Sequence, residues 1–196
     1  MKGHLFVMSA PSGAGKTTLC TSILKLMPDL EYSVSCTTRS PRQGEQDGVH
    51  YHFISREVFC DKMKKNDWVE WAEVYGNLYG TSVGFLENAL DAGKDVLLDI
   101  DIQGAKNVRA RYPGTTLIFI MPPSLEILRK RLVQRGCDSA DSMRNRLEAA
   151  QREMNKAVSY DVVIVNRDLN VAISELNNTI EEIRNKSPEK SAGSAL

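Results

Sequence analysis

Apolar positions along this chain fall into two alternating patterns. Four short runs, at 5–8, 96–98, 117–120 and 162–165, are apolar at consecutive positions and rich in Leu or β-branched residues. Strands covered on both faces read this way. A weaker fifth run lies at 32–35. Between the runs, helical periodicity predicts helices near 16–27, 82–92, 103–111, 124–134, 139–157 and 169–185. Strands that alternate with helices predict βαβ units, hence an α/β fold with a parallel sheet flanked by helices. Ligands of such sheets sit beyond the carboxyl ends of the strands.

Residues 36–81 break the alternation. A polar loop, Thr37-Thr38-Arg39-Ser40-Pro41-Arg42-Gln43-Gly44-Glu45, opens the segment. Stretches 49–54 and 68–75 carry aromatic and β-branched residues, as antiparallel strands do, and a short helix at 56–65 separates them. The expectation is a core made of 4–35 and 82–185, with a small, mostly β insertion at about 36–81. Residues 186–196, with Ser, Pro and Gly, read as a flexible tail. A length of 196 residues suits one core with an inserted subdomain.

Charge narrows the partners. Lys and Arg number 25 and Asp and Glu number 25. No bulk attraction to nucleic acid or to an anionic membrane is expected, so any anion site must be local. No apolar run approaches the roughly 20 residues that span a bilayer. The 5–8 run is too short for a signal-peptide core and leads straight into the loop described next. Cys20, Cys36, Cys60 and Cys137 are far apart, with no CxxC pair. They read as reduced thiols of a cytoplasmic protein rather than as metal ligands or disulfides. A homo-oligomer is left open.

The strongest chemical signal is Ala10-Pro11-Ser12-Gly13-Ala14-Gly15-Lys16-Thr17-Thr18. It follows a strand and opens a helix, the layout of a nucleoside triphosphate loop. Gly13 and Gly15 let the backbone turn and bring its N–H groups to phosphate oxygens. The helix adds the partial positive charge of its N-terminus. Lys16 can reach the β- and γ-phosphates, and the Thr17 hydroxyl can ligate Mg²⁺. The first position of the usual pattern is Ala10 instead of Gly, the smallest replacement. Asp99, closing an apolar strand at the ligand edge, is a second candidate for the Mg²⁺ shell. The alternative role for Asp99 is a helix cap. Strand alternation would put Asp99 and Asp101 on one face if the strand continued that far.

Several further blocks carry a resemblance. They are Val34-Ser35-Cys36-Thr37-Thr38-Arg39-Ser40-Pro41-Arg42, Val69-Glu70-Trp71-Ala72, Gly76-Asn77-Leu78-Tyr79-Gly80-Thr81, Leu98-Asp99-Ile100-Asp101-Ile102-Gln103-Gly104, Arg131-Leu132 through Arg135-Gly136, and Val163-Ile164-Val165-Asn166. Together with the phosphate loop, and in this order, they resemble the guanylate kinases from about residue 4 to 185. The resemblance implies a P-loop NTPase-like fold, a GMP-binding insertion, a helical Arg-rich lid at about 124–157, and transfer of a phosphoryl group from ATP to GMP with Mg²⁺. Leu78 and Arg167 stand where that family often has Tyr and Asp.

The resemblance also implies roles. Arg39, Arg42, Tyr51 and Tyr79 hold the GMP phosphate, a task that suits the planar, bidentate guanidinium. Glu70 and Asp101 read the guanine, with Ser35 and Thr81 completing the base contacts. An ionised carboxylate only accepts hydrogen bonds, and guanine presents adjacent N1–H and 2-amino donors, which adenine lacks. Arg131, Arg135 and Arg146 of the lid stabilise charge during transfer, and Asn166 lies by the adenine of ATP. Arg129, Arg144 and Arg152 read as a solvated helix face, Trp71 as core and Glu73 as surface. His4, His50 and His52 have no assigned role. Two other readings compete: a kinase for another nucleoside monophosphate, and a non-catalytic guanylate-kinase-like domain that binds proteins. Glu70 and Asp101 argue against the first; intact Lys16, Thr17, Arg131, Arg135 and Arg146 argue against the second.

Overall fold

A computed structural model describes residues 2–74, 76–134 and 140–186. The elements are β1 (Leu5–Ser9), α1 (Lys16–Leu26), β2 (Glu31–Tyr32), β3 (Cys36–Thr37), β4 (His52–Phe53), α2 (Arg56–Lys64), β5 (Trp68–Val74), β6 (Asn77–Ser82), α3 (Val83–Asp91), β7 (Val96–Asp99), α4 (Ile102–Arg111), β8 (Thr116–Met121), α5 (Leu125–Gln134), α6 (Ala140–Met154), a 3₁₀ turn (Asn155–Ser159), β9 (Val162–Val165) and α7 (Leu169–Lys186).

Five strands form a wholly parallel sheet in the order β2-β7-β1-β8-β9. Alternation along β1 sends Phe6 and Met8 into one layer, with Leu19 and Ile23 of α1 and Leu176 and Ile180 of α7. Leu5 and Val7 face the other layer, against Leu86 and Leu90 of α3 and Ala105 and Val108 of α4. The α/β expectation is therefore met, with a core on each face of the sheet. Strand β9 is a correction in part. It lies at the sheet edge, and Val163 and Val165 are exposed. The order reverses at β1, so the loop after β1 opens at the crevice where such sheets bind ligands.

A second sheet, β4-β3-β6-β5, is mixed: β3 pairs parallel with β4 and antiparallel with β6, which pairs antiparallel with β5. Its own core holds Cys36, Phe59, Trp68 and Leu78. The Phe59 and Trp68 rings stack at 4.2 Å, and Trp68 Nε1 donates to the Phe59 carbonyl at 3.2 Å.

Five expectations change here. The strand at 49–54 shrinks to His52–Phe53, because Gly48 turns the chain at φ +74° and Val49 is exposed. Residues 77–82, read only as a motif, form central strand β6. Gly80 hides it from a propensity reading, and a Cβ there would lie 3.0 Å from both the Phe59 and Trp68 rings. Trp71 is exposed, not core; Trp68 takes that place. The weak strand at 32–35 is displaced to Glu31–Tyr32. The long helix at 139–157 divides into α6 and the 3₁₀ turn. Residues 187–196 of the expected tail, and Cys137, lie outside the described residues.

Candidate active site

The loop between β1 and α1 is built as the sequence requires. Gly13 and Gly15 take φ of +89° and +99°, the left-handed region. A side chain at Gly15 would also put its Cβ 2.3 Å from Asn166 Nδ2. Two residues from distant elements fasten the loop. Asn166 Nδ2, just past β9, donates to the Ala14 carbonyl at 2.7 Å. Arg131 of α5 donates to the same carbonyl at 3.2 Å and to the Asn166 carbonyl at 2.8 Å. Pro11 accepts from the Ala14 N–H at 3.0 Å, tightening the turn. Ala10 packs at the margin of the apolar layer under α1 and α7. Ser12, Thr17 and Thr18 are exposed.

The Lys16 ammonium is ion-paired with Asp99, the last residue of β7, and donates to the Ile100 carbonyl at 3.1 Å. The strand stops at Asp99, so alternation does not extend to Asp101. Asp101 is instead the N-cap of α4, accepting from the Gly104 N–H at 2.7 Å. The capping role considered for Asp99 thus falls to Asp101.

Clefts open on two sides of the loop. One, of about 290 Å³, is lined by Lys16, Thr17, Ser35, Tyr51, Asp99 and Asp101. It joins a smaller recess of about 150 Å³ in which Glu70 and Tyr79 meet Ser35, Tyr51 and Asp101. The other cleft, of about 370 Å³, is lined by Gly13, Gly15, Thr18, Arg131, Asn166 and Arg167.

In the recess, Glu70 of β5 stands in register with Thr81 of β6, whose hydroxyl donates to Glu70 Oε1 at 2.8 Å. A Cβ on Gly104 would lie 3.1 Å from Glu70 Oε2 and 3.2 Å from Asp101 Oδ1. Two carboxylates therefore converge on the bare face of one glycine. Burial pushes the Glu70 carboxyl above its ordinary value; the Thr81 hydrogen bonds oppose the shift, and the Asp101 charge adds to it.

Arg39 and Tyr51 sit together, the guanidinium 5.5 Å from the ring centroid, and Tyr51 meets Tyr79 edge-on at 5.8 Å. Glu45 grips Arg39 through two hydrogen bonds of 2.9 and 2.8 Å and accepts from the Arg42 backbone N–H at 2.7 Å. Those contacts, Arg39 first, hold the Glu45 carboxyl down at about 2. The Arg42 side chain is exposed.

Leu128 and Leu132 of α5 pack on Ala150 of α6. Arg146 lies on the exposed side of α6, while Arg135 lies outside the described residues. Arg144 and Arg152 pair with Asp141 and Glu148 of their own helix, and Arg129 is exposed, as a solvated face requires. Glu73 is a surface residue 3.7 Å from Arg56.

Three contributors escape a reading of the sequence. Glu45 is visible only as an acid six residues after Arg39, a spacing with no meaning until the loop closes. Gly104 looks like an ordinary helix glycine. The Ile100 carbonyl that holds Lys16 has no side-chain signature at all.

Residues 2–183 match the family described as guanylate kinase. The chain is 49% identical to a guanylate kinase of Geobacter metallireducens over 91% of its own length and 88% of that protein. It is 46% identical to one of Idiomarina loihiensis over 96% and 90%. Its fold is similar to the crystal structure of guanylate kinase from Anaplasma phagocytophilum, with a TM-score of 0.76, 34% identity, and coverage of 95% of this chain and 88% of that one.

Proposed function

Because the chain belongs to the guanylate kinase family, and is thus an enzyme that phosphorylates GMP, we propose how its residues divide that task. ATP is the phosphoryl donor, and its phosphates lie along the Ala10–Thr18 loop. The adenine side is the cleft lined by Arg131, Asn166 and Arg167. GMP occupies the joined clefts on the other side of Lys16, with its base at Glu70, Asp101, Ser35 and Thr81. Its phosphate is held by Arg39, Arg42, Tyr51 and Tyr79.

The observation that carries this reading is the convergence of Glu70 and Asp101 on Gly104, in a recess continuous with the Lys16 cleft. Two acceptor-only groups side by side match adjacent donors on one base edge. Adenine would leave a carboxylate unpaired, at a cost of about 1–3 kcal/mol or more. Glu45 holds Arg39 in advance, which lowers the entropic cost of gripping a phosphate.

A Mg²⁺ ion fits the donors present. Thr17 offers a hydroxyl and Asp99 a carboxylate in one cleft, and Mg²⁺ takes oxygen ligands, commonly one or two from protein beside substrate phosphates. When bound, it would neutralise charge on the triphosphate. Lys16, freed from Asp99, is long enough to follow the γ-phosphate. The attacking GMP phosphate oxygen is already ionised at neutral pH, so transfer is direct and in line, with no protein nucleophile and no strong general base. Positioning and electrostatics do the work. Arg131, Arg135 and Arg146 belong to a lid at about 124–157 that closes over both nucleotides; the GMP side is the insertion at about 36–81.

The same reading makes the protein a cytoplasmic enzyme of purine nucleotide supply. Free, separated thiols at Cys20, Cys36 and Cys60 support it. No helix among the described residues is long and apolar enough to cross a membrane. The test is Lys16→Ala. Turnover should fall about 10²–10³-fold or more, as when a charge-stabilising group is lost, with the circular dichroism spectrum unchanged. Unaltered turnover would remove Lys16 from the phosphates.

A further inference from the structure

A fourth cavity, of about 420 Å³, shares no lining residue with the nucleotide clefts. It lies between the first turns of α4 and the 3₁₀ turn that follows the lid helix, with Leu117 of β8 in its wall. Its volume falls within the range of about 300–1,000 Å³ typical of small-molecule sites.

Three cations line it: Lys106, Arg109 and Lys156. Arg109 is neutralised by an ion pair with Asp161, which also accepts from the Leu117 N–H at 2.7 Å. Lys106 and Lys156 have no ion pair or side-chain hydrogen bond among the described residues; the acid acting on Lys156 is Glu153, one turn back. Arg109 Nε is buried behind the cavity surface with no hydrogen-bond partner among the described residues, and the Tyr160 hydroxyl interacts with Ser9 of β1. The rest of the wall is mixed: Gln103 and Ser159 are polar, while Ala105, Leu117 and the Tyr160 ring, fixed edge-on against Phe119 at 5.0 Å, give it an apolar side.

We infer that this cavity, framed by Lys106, Lys156, Leu117 and Tyr160, binds a small phosphate monoester with an apolar or aromatic body. Two unpaired ammonium groups match a dianion better than a single carboxylate, and the apolar side accepts the body. An occupant would bridge α4, whose N-cap is Asp101, to the turn on which the lid helix ends. It would thereby couple the guanine side to the lid base. The site is separate from the catalytic assignments above and does not depend on them.

The test fills the nucleotide clefts with GMP and a non-hydrolysable ATP analogue, then titrates phenyl phosphate, benzoate and inorganic phosphate. Calorimetry reads affinity, and methyl resonances of Leu117 and Ile102 report location. Phenyl phosphate should bind saturably, shift those methyls, and bind more tightly than either benzoate or inorganic phosphate. Lys106→Ala combined with Lys156→Ala should weaken it about tenfold or more while thermal unfolding stays unchanged, and Lys106→Ala alone should leave basal GDP formation unchanged. The inference is overturned if phenyl phosphate fails to saturate, if benzoate binds as well, if the double variant binds as tightly, or if the shifts appear only when the nucleotide clefts are empty.

Discussion

In the proposed assignment, Glu70 links burial to base choice. Its carboxyl is pushed above the ordinary value of 4.5 by burial, so protonation begins at a higher pH than for an exposed acid. A protonated Glu70 donates where guanine also donates. GMP binding should therefore weaken as pH falls through this raised value, and KM for GMP should climb on the acid side before ordinary carboxylates titrate. Glu70→Gln should raise KM for GMP about 5- to 150-fold at neutral pH, leave KM for ATP nearly unchanged, and remove that acid limb. Equal weakening of both substrates would make Glu70 structural. Glu45 works differently, since with a carboxyl held at about 2 it stays ionised throughout. Glu45→Gln should raise KM for GMP, because Arg39 loses its bidentate partner, while kcat changes little. Steady-state kinetics with GMP varied would settle both variants.

Among the elements, α4 carries a double duty that can be separated. Asp101 caps the helix through Gly104 N–H and faces the recess with its charge. Asn caps as well as Asp does, so Asp101→Asn should keep the unfolding temperature while weakening GMP. Asp101→Ala should lose about 0.5–2 kcal/mol of stability as well. Chemical denaturation beside GMP titration distinguishes the two. The strand β5 that carries Glu70 is tied to the same helix by Arg111, which donates to the Trp68 carbonyl at 3.0 Å. Here the limits of sequence reading have a physical origin. The three central strands β7, β1 and β8 are runs of apolar residues, and burial on both faces leaves them little freedom to be anything else, whereas the edge strands β2 and β9 are read less well. The small sheet depends on Gly80 making room for two rings and on a two-residue pairing at β4, features that look like loop until Phe59 and Trp68 arrive. Lys16, Asp99 and the phosphate loop are legible because they are close in sequence to the strand ends that present them. The grip of Glu45 on Arg39, and the contact of Gly104 with two acids, arise only when segments meet.

At the scale of the whole molecule, the sheet's amino end is locked apart from the site. Arg184 of α7 is buried and donates to Asp95 at 2.6 Å, with Asp29 at 3.2 Å and Glu181 at 3.3 Å; Asp95 also accepts from the His4 N–H at 2.7 Å. Removing Asp95 takes away the buried partner and leaves Arg184 only the more exposed acids Asp29 and Glu181. Asp95→Ala should therefore cost about 1.5–3 kcal/mol in urea denaturation, with little change in KM for GMP at temperatures where the variant is folded. The carboxyl end of the sheet is where the molecule acts, with one cleft on each side of Lys16 and the two acids set at the far end of one of them. The most direct measurement is product formation with ATP and Mg²⁺ across GMP, AMP, CMP and UMP. The account predicts rapid GDP formation from GMP and negligible product from AMP, and discrimination that collapses in Glu70→Gln. AMP turned over as well as GMP, in the wild-type protein, would contradict it.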